Sequence, residues 1–552
     1  MQFTKQDLFT IVVLCAVFFA VTSWNLGMTQ VPTTTWRPTQ NENVWIDLGK
    51  VESVDTLYLL VKNGSANVTV YTGSPEHWSE HGIFALEGYY SWNNISIDRD
   101  TRYLEINFQK ESIEIAEIAA LGKSGQRLTI NAITGDHPDQ NLRKFIDEQE
   151  LVQVPPTYVS ETFFDEVFYV SSAESYLKLQ QPWEWTHPPL GKLIIASGIL
   201  IFGYNPFGWR IMGVIFATLM IPLIYVLGKK LFKTWIGAFT SAFLLTFDFM
   251  HFTMARMATV DTFVVFFSLA SQFFFLIYIQ NVLKKGWKVS TLPLFLSVFF
   301  FALGFSTKWI SLFGFVGQLV ILLVLRLKPK LKGGWLCVKI NGFFGYPSFR
   351  LFMFLEFAMF IYFLTYIPNM LAGYTLTNVF QLQGYMFAYH SELTLSHPFG
   401  SKWWSWPLIL RPLWLFVSYL PGHVVSTIVL MGNPAVWWGG FIFVILAIQV
   451  AVRRKNFACI FITVLFLFQW VSYVFISRTT FIYHFYSCVP FVCLASSYFL
   501  DRYWNRKLGK AAALAYFVVV IVLFQIFYPA ISGTPAPVSQ IDSLKWLESW
   551  VF

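Results

Sequence analysis

Charged residues are scarce in this chain. Asp, Glu, Lys and Arg make up 13% of its 552 residues, whereas a soluble globular domain carries about 25%. Cysteine is also sparse: the chain has five, and none lies between residues 28 and 200, the longest polar region. The shortage of charge excludes an ordinary soluble protein. The placement of the cysteines excludes a disulfide framework or a cysteine zinc site in the polar region.

Apolar and aromatic residues are abundant instead. Hydrophobic residues make up 55% of the chain, with 59 Phe and 22 Trp, and the mean hydropathy is +0.53. Because a helix needs about 20 apolar residues to cross a bilayer, the hydrophobic runs predict a polytopic α-helical membrane protein with about eleven transmembrane helices. The predicted spans are 8–27, 208–228, 234–249, 260–281, 291–306, 309–325, 349–366, 436–452, 457–476, 487–500 and 511–528.

Basic residues cluster in alternate loops between these spans. Since Lys and Arg concentrate in cytoplasmic loops, the clusters predict a cytoplasmic N-terminus and an extracytoplasmic C-terminal tail, 529–552. The net charge of +8 follows from this topology and gives no support to nucleic-acid binding. The first span has no A-x-A cleavage site, so we expect it to remain as an anchor. The clusters are Lys229, Lys230 and Lys233; Lys284, Lys285 and Lys288; Arg326, Lys328, Lys330, Lys332 and Lys339; Arg453, Arg454 and Lys455; and Arg502, Arg506, Lys507 and Lys510.

Residues 36–137 have the pattern of a β-rich insert. Short runs such as "NVWIDLG", "TLYLLVKNG", "NVTVYTG", "RYLEINF" and "IAEIAALG" are rich in Val, Ile, Leu and Tyr, and Gly, Asn and Ser separate them. Several short strands at this spacing predict an extracytoplasmic β-sandwich. Their order resembles discoidin-like, galactose-binding modules. Some such modules bind glycans and others are scaffolds, and the pattern does not decide between the two.

The stretch "ETFFDEVFYVSSAESYL" carries two adjacent carboxylates, Asp165 and Glu166, on the predicted outer face. Seven basic residues fall on the same face. Taken singly, each is explained by snorkelling or by pairing with Asp248, Asp261 or Glu392. Together with the acidic pair, they indicate a pocket for an anionic head group such as a lipid-linked phosphate. The seven are Lys192, Arg210, Arg256, Lys308, Lys402, Arg411 and Arg478.

A set of motifs in this region resembles a known family. They are "FFDEVFY", "THPPLGKLIIASGI", "FGYNPFGWRIMG", "DFMHFTMARMATVDTF", "GFSTKW", "HPFGSKWWSWPLILRP", "MGNPAVWW" and "IYHFYSCVP", in order from about Glu161 to Pro490. The set is similar to the protein O-mannosyltransferases, GT-C membrane glycosyltransferases that use polyprenyl-phosphate sugars. The MIR modules of eukaryotic members are absent, so the chain resembles the prokaryotic type. The β-rich insert departs from the family pattern and leaves the acceptor open.

The resemblance implies a transfer that inverts the anomeric carbon. A sugar, expected to be mannose, would pass from a polyprenyl phosphate to Ser or Thr hydroxyls of exported proteins. Asp165 and Glu166 would be the catalytic pair: Asp165 would act as the base, and Glu166 would shape the site or contact sugar or acceptor. Arg210 would organise the donor-binding region. The phosphate candidates are Arg256, Lys308, Lys402 and Arg411, with Arg478 and His484 as further ones. The candidate sugar or acceptor contacts are His187, Trp403 and Trp404, although the tryptophans could equally anchor their loop at the membrane interface and His187 could be structural.

This interpretation places the enzyme in the plasma membrane, with its active site on the extracytoplasmic face. No Asp-x-Asp or His cluster in the sequence forms an obvious metal cage, so the sequence requires no cofactor and gives no support to a divalent cation. The expected divisions are a first transmembrane helix, 1–30; the β-sandwich insert, 36–137; a catalytic loop with interfacial helices, 138–207; transmembrane helices 208–366; an outer loop, 367–435; transmembrane helices 436–528; and the tail, 529–552.

Two other functions remain open at this stage. A different GT-C transferase, acting on a glycolipid or a cell-wall polymer, would share the donor site and differ in its acceptor. A transporter or sugar-sensing receptor would use the β-rich insert as its ligand binder. Transporters commonly consist of repeated halves with interrupted helices at the membrane midplane. The chain shows no such repeat, which disfavours this function.

Overall fold

The computed structural model describes residues 3–109, 112–137, 140–327, 348–393 and 396–552. Its helices are α1 (Lys5–Ser23), α2 (Glu166–Leu177), α3 (Leu190–Phe202), α4 (Pro206–Phe232), α5 (Trp235–Thr246), α6 (Phe249–Ala255), α7 (Asp261–Lys285), α8 (Leu292–Phe305), α9 (Ser311–Leu327), α10 (Ser348–Leu364), α11 (Ile367–Leu371), α12 (Leu376–Glu392), α13 (Gly440–Arg454), α14 (Phe457–Trp470), α15 (Val489–Tyr503), α16 (Lys507–Ser532) and α17 (Val538–Ser543).

Each of the predicted spans corresponds to a helix or to a pair of helices. Within the described residues, seven helical stretches are long and apolar enough to cross a membrane. The pair α5 and α6, bent by 57°, makes an eighth if it is one broken span. Three of the predicted spans form shorter helices, α8, α9 and α15. The chain is therefore a multi-pass helical membrane protein, while the number eleven stays a prediction. The basic residues Lys328, Lys330, Lys332 and Lys339 lie outside the described residues.

Helix α1 is fixed against α4 at its N-terminal end. Thr4 caps the helix, and its hydroxyl and that of Tyr225 donate to the Asp7 carboxylate at 2.8 and 2.7 Å. Lys229 donates to the same carboxylate at 2.8 Å. Because Asp7 is fully buried, these partners offset the cost of removing its charge from water. The contact holds α1 beside the helix that carries Arg210.

The insert folds as a six-stranded antiparallel sheet: β1 (Glu42–Ser74), β2 (His77–Gly88), β3 (Ser91–Phe108), β4 (Ile113–Gly122), β5 (Arg127–Leu128) and β6 (Ala132–Gly135). The long β1 bends at irregular positions and pairs with β3 in four separate registers, at 42–47, 52–54, 56–61 and 68–73. Residues from all parts of β1 line one apolar core with β3 and β4, including Val44, Leu57 and Val68. Each of the five sequence runs that predicted strands lies in one of these strands.

The predicted outer loop 367–435 has more secondary structure than the sequence indicated. It contains α11, α12, a short 3₁₀ helix (Trp403–Leu408) and a hairpin of β7 (Leu413–Leu420) and β8 (Val424–Leu430). A short strand of the C-terminal tail, β9 (Ala536–Pro537), pairs with β8. Trp550 donates to the carbonyl of Ile409 at 2.7 Å. The tail therefore folds back onto the outer loop.

Candidate active site

The acidic pair lies at the start of α2, and its two side chains have separate environments. Asp165 precedes the first helical residue, and Glu166 is that residue. The preceding Phe164 has a φ of 51°, a backbone conformation that costs a non-glycine residue about 1–3 kcal/mol. Such strained positions cluster at functional sites. Here the turn brings Asp165 to a half-buried position and sends Glu166 into the interior.

Glu166 is fully buried and completely hydrogen-bonded. Arg210 donates to its two carboxylate oxygens at 2.8 and 2.7 Å. The backbone N–H groups of Ala258 and Phe163 donate to the same carboxylate at 2.9 and 3.3 Å. Since both oxygens are occupied and no part of the side chain is exposed, this geometry argues against the expectation that Glu166 reacts with or touches substrate. Glu166 therefore anchors the start of α2, next to Asp165 in the chain.

Arg210 uses its remaining donors on the protein itself. Its guanidinium donates to the carbonyl oxygens of Leu26, Tyr158 and Glu161 at 3.0, 2.8 and 2.7 Å. A side chain with 0% exposure and this many protein acceptors has no donor left for a phosphate. This geometry argues against direct contact between Arg210 and the donor and agrees with an organising position, while the role itself stays a prediction. The residue ties the start of α2 to the chain that follows α1.

Arg256 is occupied in the same way. Its guanidinium donates to the carbonyls of Thr22, Trp24 and Asn25 at 2.7, 2.7 and 2.9 Å. It also reaches the Tyr158 hydroxyl at 3.0 Å and a carbonyl at the end of α16 at 3.3 Å. These contacts hold Arg256 at the C-terminal end of α1 and argue against its binding the donor phosphate, a role that stays a prediction.

The hydrogen bonding of Asp165 differs from that of Glu166, Arg210 and Arg256. Within the described ranges, no side chain or backbone N–H donates to its carboxylate. Burial raises the pKa of Asp165 to about 7, against a lowering by the nearby Lys308 ammonium. Asp261 and Glu184 raise the same pKa further, and Arg478 lowers it. The sequence left open which carboxyl of the pair has a raised pKa; burial is the main cause of the raised pKa of Asp165.

Lys308 is the cation that acts most strongly on Asp165. Its ammonium lies 2.9 and 3.1 Å from the two oxygens of Asp261, the first residue of α7. The pairing of an outer-face cation with Asp261 was one of the alternatives that the sequence left open. The Lys308 ammonium also lies 5.2 Å from the ring centroid of Tyr483. Residues from α7, from the turn before α9 and from the segment before α15 therefore meet at Asp165.

Arg478 reaches the same region from the segment after α14. It donates to Nδ1 of His390, while Nε2 of His390 lies 2.8 Å from the carbonyl oxygen of Thr186. Because a carbonyl only accepts, Nε2 carries the proton and Nδ1 accepts from Arg478. Burial lowers the pKa of His390 to about 4, with His187 and Arg478 among the further causes, which agrees with a neutral ring. The Nε donor of Arg478 is buried and has no partner in the part of the chain that the structure describes.

The "HPPLGK" motif forms a buried cluster next to this site. Lys192, 1% exposed, donates to the Glu184 carboxylate at 2.6 Å and to the backbone carbonyls of Glu184 and His187. Nδ1 of His187 lies 3.1 Å from the Glu184 carboxylate, so this nitrogen carries the proton. Burial alone would raise the pKa of Glu184, but Lys192 and His187 hold this pKa below its ordinary value. The cluster shapes the turn, and its His187 ring contacts His390 at 5.2 Å.

The remaining expected residues lie around this cluster in different settings. His484 is buried, stacks on Trp406 at 5.8 Å and bonds through Nδ1 to the Phe481 backbone. Trp403 packs edge-on against Trp470, and Trp404 is 51% exposed. Lys402 and Arg411 are exposed. Lys402 follows Ser401 in the chain. The N–H of Ser401 donates to the carbonyl of Thr480 at 2.8 Å, and Thr480 lies two positions after Arg478. The donor or sugar roles of Lys402, Arg411, His484, Trp403 and Trp404 stay predictions.

Three residues of the cluster were not predicted from the sequence to belong to the site. Glu184, His390 and Tyr483 all act electrostatically on, or make ring contacts with, the groups around Asp165. Glu184 lies three positions before His187, a spacing that could have indicated an acid–histidine contact. His390 and Tyr483 had no such signal. Among the described residues, no group of three or more His, Cys, Asp or Glu is arranged to hold a metal ion.

Comparison with known proteins places the chain in a family. Residues 186–343 match the family profile described as "Dolichyl-phosphate-mannose-protein mannosyltransferase". Residues 375–550 match the "C-terminal four TMM region of protein-O-mannosyltransferase". The two ranges together span more than half of the chain. Both ranges begin after the Asp165 segment.

Curated relatives and a solved structure agree with these matches. The polyprenol-phosphate-mannose–protein mannosyltransferase of Corynebacterium glutamicum is 25% identical over 431 residues, 66% of this chain and 81% of the relative. The protein of the same name from Mycobacterium tuberculosis is 24% identical, over 66% of this chain and 80% of the relative. The donor-bound Saccharomyces cerevisiae protein O-mannosyltransferase Pmt1–Pmt2 complex shares the fold, with a TM-score of 0.61 and 13% identity over 71% of this chain and 89% of that one. The chain therefore belongs to the protein O-mannosyltransferase family of GT-C membrane glycosyltransferases.

Proposed function

We propose that this protein transfers mannose from polyprenyl-phosphate mannose to Ser or Thr hydroxyls of exported proteins. The acceptor oxygen attacks the anomeric carbon from the face opposite the phosphate, the bond from that carbon to the phosphate oxygen breaks, and the configuration inverts. The acceptor proton passes to a carboxylate, and polyprenyl phosphate leaves. The names of the actinobacterial relatives support the donor and the protein acceptor.

Asp165 is the base in this proposal. The observation that carries it is the contrast within the acidic pair: Glu166 is fully buried and hydrogen-bonded, whereas the half-buried Asp165 carboxylate has no donor among the described residues. A pKa of about 7 suits a base that must take a proton near neutral pH. Two adjacent carboxylates thus have different tasks, one structural and one chemical.

Lys308 and Arg478 are the cations for the leaving phosphate. Charge builds up on the phosphate oxygens as the bond breaks, and fixed cations stabilise that charge most effectively in a site with little water. Both residues act electrostatically on Asp165. The unpartnered Nε of Arg478 supports its role because it is a buried donor in need of an acceptor. Lys402 is the next candidate, since its segment is hydrogen-bonded to that of Arg478.

The proposal also includes the side of the membrane on which the active site lies. The clustering of Lys and Arg in alternate loops supports a cytoplasmic N-terminus. We propose that Asp165, Lys308 and Arg478 therefore face the extracytoplasmic side, and that the membrane is the plasma membrane. Acceptors would therefore meet the enzyme during or after export.

The test uses the full-length enzyme in lipid nanodiscs with polyprenyl-phosphate [³H]mannose. Its acceptors are a Ser/Thr-containing peptide and a matched peptide in which every Ser and Thr is Ala. We expect label in the first peptide only, and loss of that label in Asp165→Asn. Label found only in lipid or polymer fractions would refute the protein acceptor.

A further inference from the structure

A second cleft lies between the β-sheet insert and α2, away from the groups around Asp165. Its volume is about 1180 Å³. One wall comes from the insert, with Lys62, Ser65 and Tyr89, and the other comes from α2, with Phe168 and Ser175. None of the residues assigned to the transfer reaction lines this cleft.

Helix α2 separates the cleft from the reaction site. One face of the helix carries Asp165, Tyr169, Ser172 and Tyr176. The Tyr169 ring contacts His187 at 6.0 Å, and the Ser172 hydroxyl accepts from the N–H of Glu184 at 2.9 Å. The cleft is lined from the other face by Val167, Ser171, Glu174, Ser175 and Lys178. Because a helix with its side chains is about 10 Å across, a molecule in the cleft lies next to the reaction site but not in it.

The floor of the cleft is a preorganised polar cluster. Lys62 donates to the Glu174 carboxylate at 2.8 Å and to the Tyr204 hydroxyl at 2.6 Å, and the Tyr89 hydroxyl donates to Glu174. The Lys62 and Glu174 side chains are only 12% and 16% exposed. Partly buried, paired charges of this kind can hydrogen-bond a ligand hydroxyl as donor and as acceptor without changing shape.

The mouth of the cleft carries an exposed aromatic pair. The rings of Phe168 and Trp183 lie 5.1 Å apart and are 40% and 60% exposed. Hydroxyl and amide side chains, including Ser171, Ser175 and Gln180, lie beside them. An uncovered aromatic pair next to convergent polar groups is the composition of a ligand site rather than of a solvated surface.

The charges of the residues that line the cleft cancel, and this balance favours an uncharged ligand. The lining contains as many basic as acidic residues, so neither an anion nor a cation is favoured. The charged residues are Arg37, Lys62, Lys178, Glu87, Glu114 and Glu174. A neutral molecule with many hydroxyls and an apolar face fits this lining: its C–H face packs on the rings and its hydroxyls bond to the floor.

An extended peptide fits the cleft less well. The lining residues Gly64 and Ser65 of β1 pair with Gly88 and Glu87 of β2. Gly64 also pairs with Ile113 of β4, and the N–H and carbonyl of Glu87 are hydrogen-bonded to the Asn93 side chain. These backbone groups therefore offer no free strand edge for an added strand. A ligand of this wall must be recognised through side chains.

From these features we propose that the cleft binds neutral hexose residues of a glycan on an acceptor protein that already carries sugar. The identity of that carrier rests on the proposed function, whereas the sugar binding itself does not. Binding of a product sugar one helix away from Asp165 would hold a partly glycosylated acceptor on the enzyme, so that neighbouring hydroxyls are modified in succession.

The test measures binding of mannotriose to the full-length enzyme in nanodiscs by saturation-transfer NMR and titration calorimetry. We expect Trp183→Ala and Phe168→Ala each to weaken binding by about tenfold, because each removes one ring from the sugar-facing surface. Tyr419→Ala is the matched control: it removes a ring that is 68% exposed outside the cleft, and binding should stay as in the wild type. Equal binding by all three variants, or no binding of mannotriose by the wild type, overturns the proposal.

Two further measurements separate this cleft from the transfer site. Saturating polyprenyl phosphate should leave mannotriose bound, and Asp165→Asn should bind mannotriose as the wild type does. Displacement of mannotriose by polyprenyl phosphate would assign the sugar to the reaction site instead. Displacement by an unglycosylated acceptor peptide would make the cleft a polypeptide site. If the enzyme glycosylates no peptide but still binds mannotriose here, the proposed function fails and the sugar site stands.

Discussion

The guanidinium of Arg210 holds both carboxylate oxygens of Glu166, at 2.8 and 2.7 Å, and neither side chain has any exposed surface. The pair joins the start of α2 to α4 across 44 positions of the chain. It explains why two adjacent acidic residues differ so much. Glu166 is neutralised by Arg210, and the helix that it anchors presents Asp165 to Lys308 and Arg478.

We expect Arg210→Ala to lower the free energy of unfolding by about 3–5 kcal/mol, since it leaves a buried carboxylate without its partner. Thermal unfolding of the protein in detergent would measure the change. The double variant Glu166→Gln/Arg210→Met should recover part of the loss, because it removes both charges. A single variant as stable as the wild type would show that the pair does not anchor α2.

Asp165→Asn should lower the transfer rate by about 10²–10⁴-fold, the usual contribution of a positioned base. Donor affinity should stay unchanged, because the side chain keeps its shape and makes no hydrogen bond to its neighbours. Initial rates with labelled donor and equilibrium binding of polyprenyl phosphate would separate the two effects. Glu150→Gln is the matched control, since Glu150 is an exposed carboxylate on the same segment. Wild-type turnover by Asp165→Asn would remove this residue from the mechanism.

Activity should rise with pH along an acid limb centred near pH 7, as Asp165 loses the proton that burial stabilises. The same raised pKa has a consequence for stability. The contribution of this carboxyl to the folded state is full below its ordinary pKa of 3.8 and is lost as the pH rises through about 7. The pH profile of kcat/KM measures the limb directly, and a limb near pH 4 would contradict the assignment.

Lys308→Gln should move that limb to higher pH, because the Lys308 ammonium lowers the pKa of Asp165. The double variant Lys308→Gln/Asp261→Asn should move it back, since Asp261 raises the same pKa. The double variant also avoids an unpaired buried carboxylate. If both variants keep the wild-type limb while remaining folded, the limb belongs to another group.

Arg478→Ala should weaken donor affinity by about tenfold or more, through the loss of a charge-assisted hydrogen bond to phosphate. Arg256→Ala should instead leave the donor affinity of the folded enzyme unchanged and lower its thermal stability, because this guanidinium holds the end of α1. Binding of polyprenyl phosphate and thermal unfolding, measured on both variants, form the comparison. The reverse pattern would restore Arg256 as the phosphate ligand.

Local patterns were sufficient to predict most of the elements. The apolar runs predicted the positions of the long helices, and the alternating runs between 43 and 122 lie in β1, β3 and β4. The outer loop was less predictable. Its hairpin, β7 and β8, depends on packing against α6 and α16 and on pairing with the C-terminal tail, which no local pattern encodes.

For the site, the sequence by itself determined the residue types: an acidic pair, a histidine–proline turn and an excess of cations on one face. Only the tertiary structure decided which cations are available. Arg210 and Arg256 look like Lys308 and Arg478 in the sequence, yet the first two are enclosed by backbone carbonyls. The physical reason is that a buried guanidinium must satisfy its donors where it lies. Its acceptors come from segments far apart in the chain, and only the packing of α1, α2 and α4 brings them together.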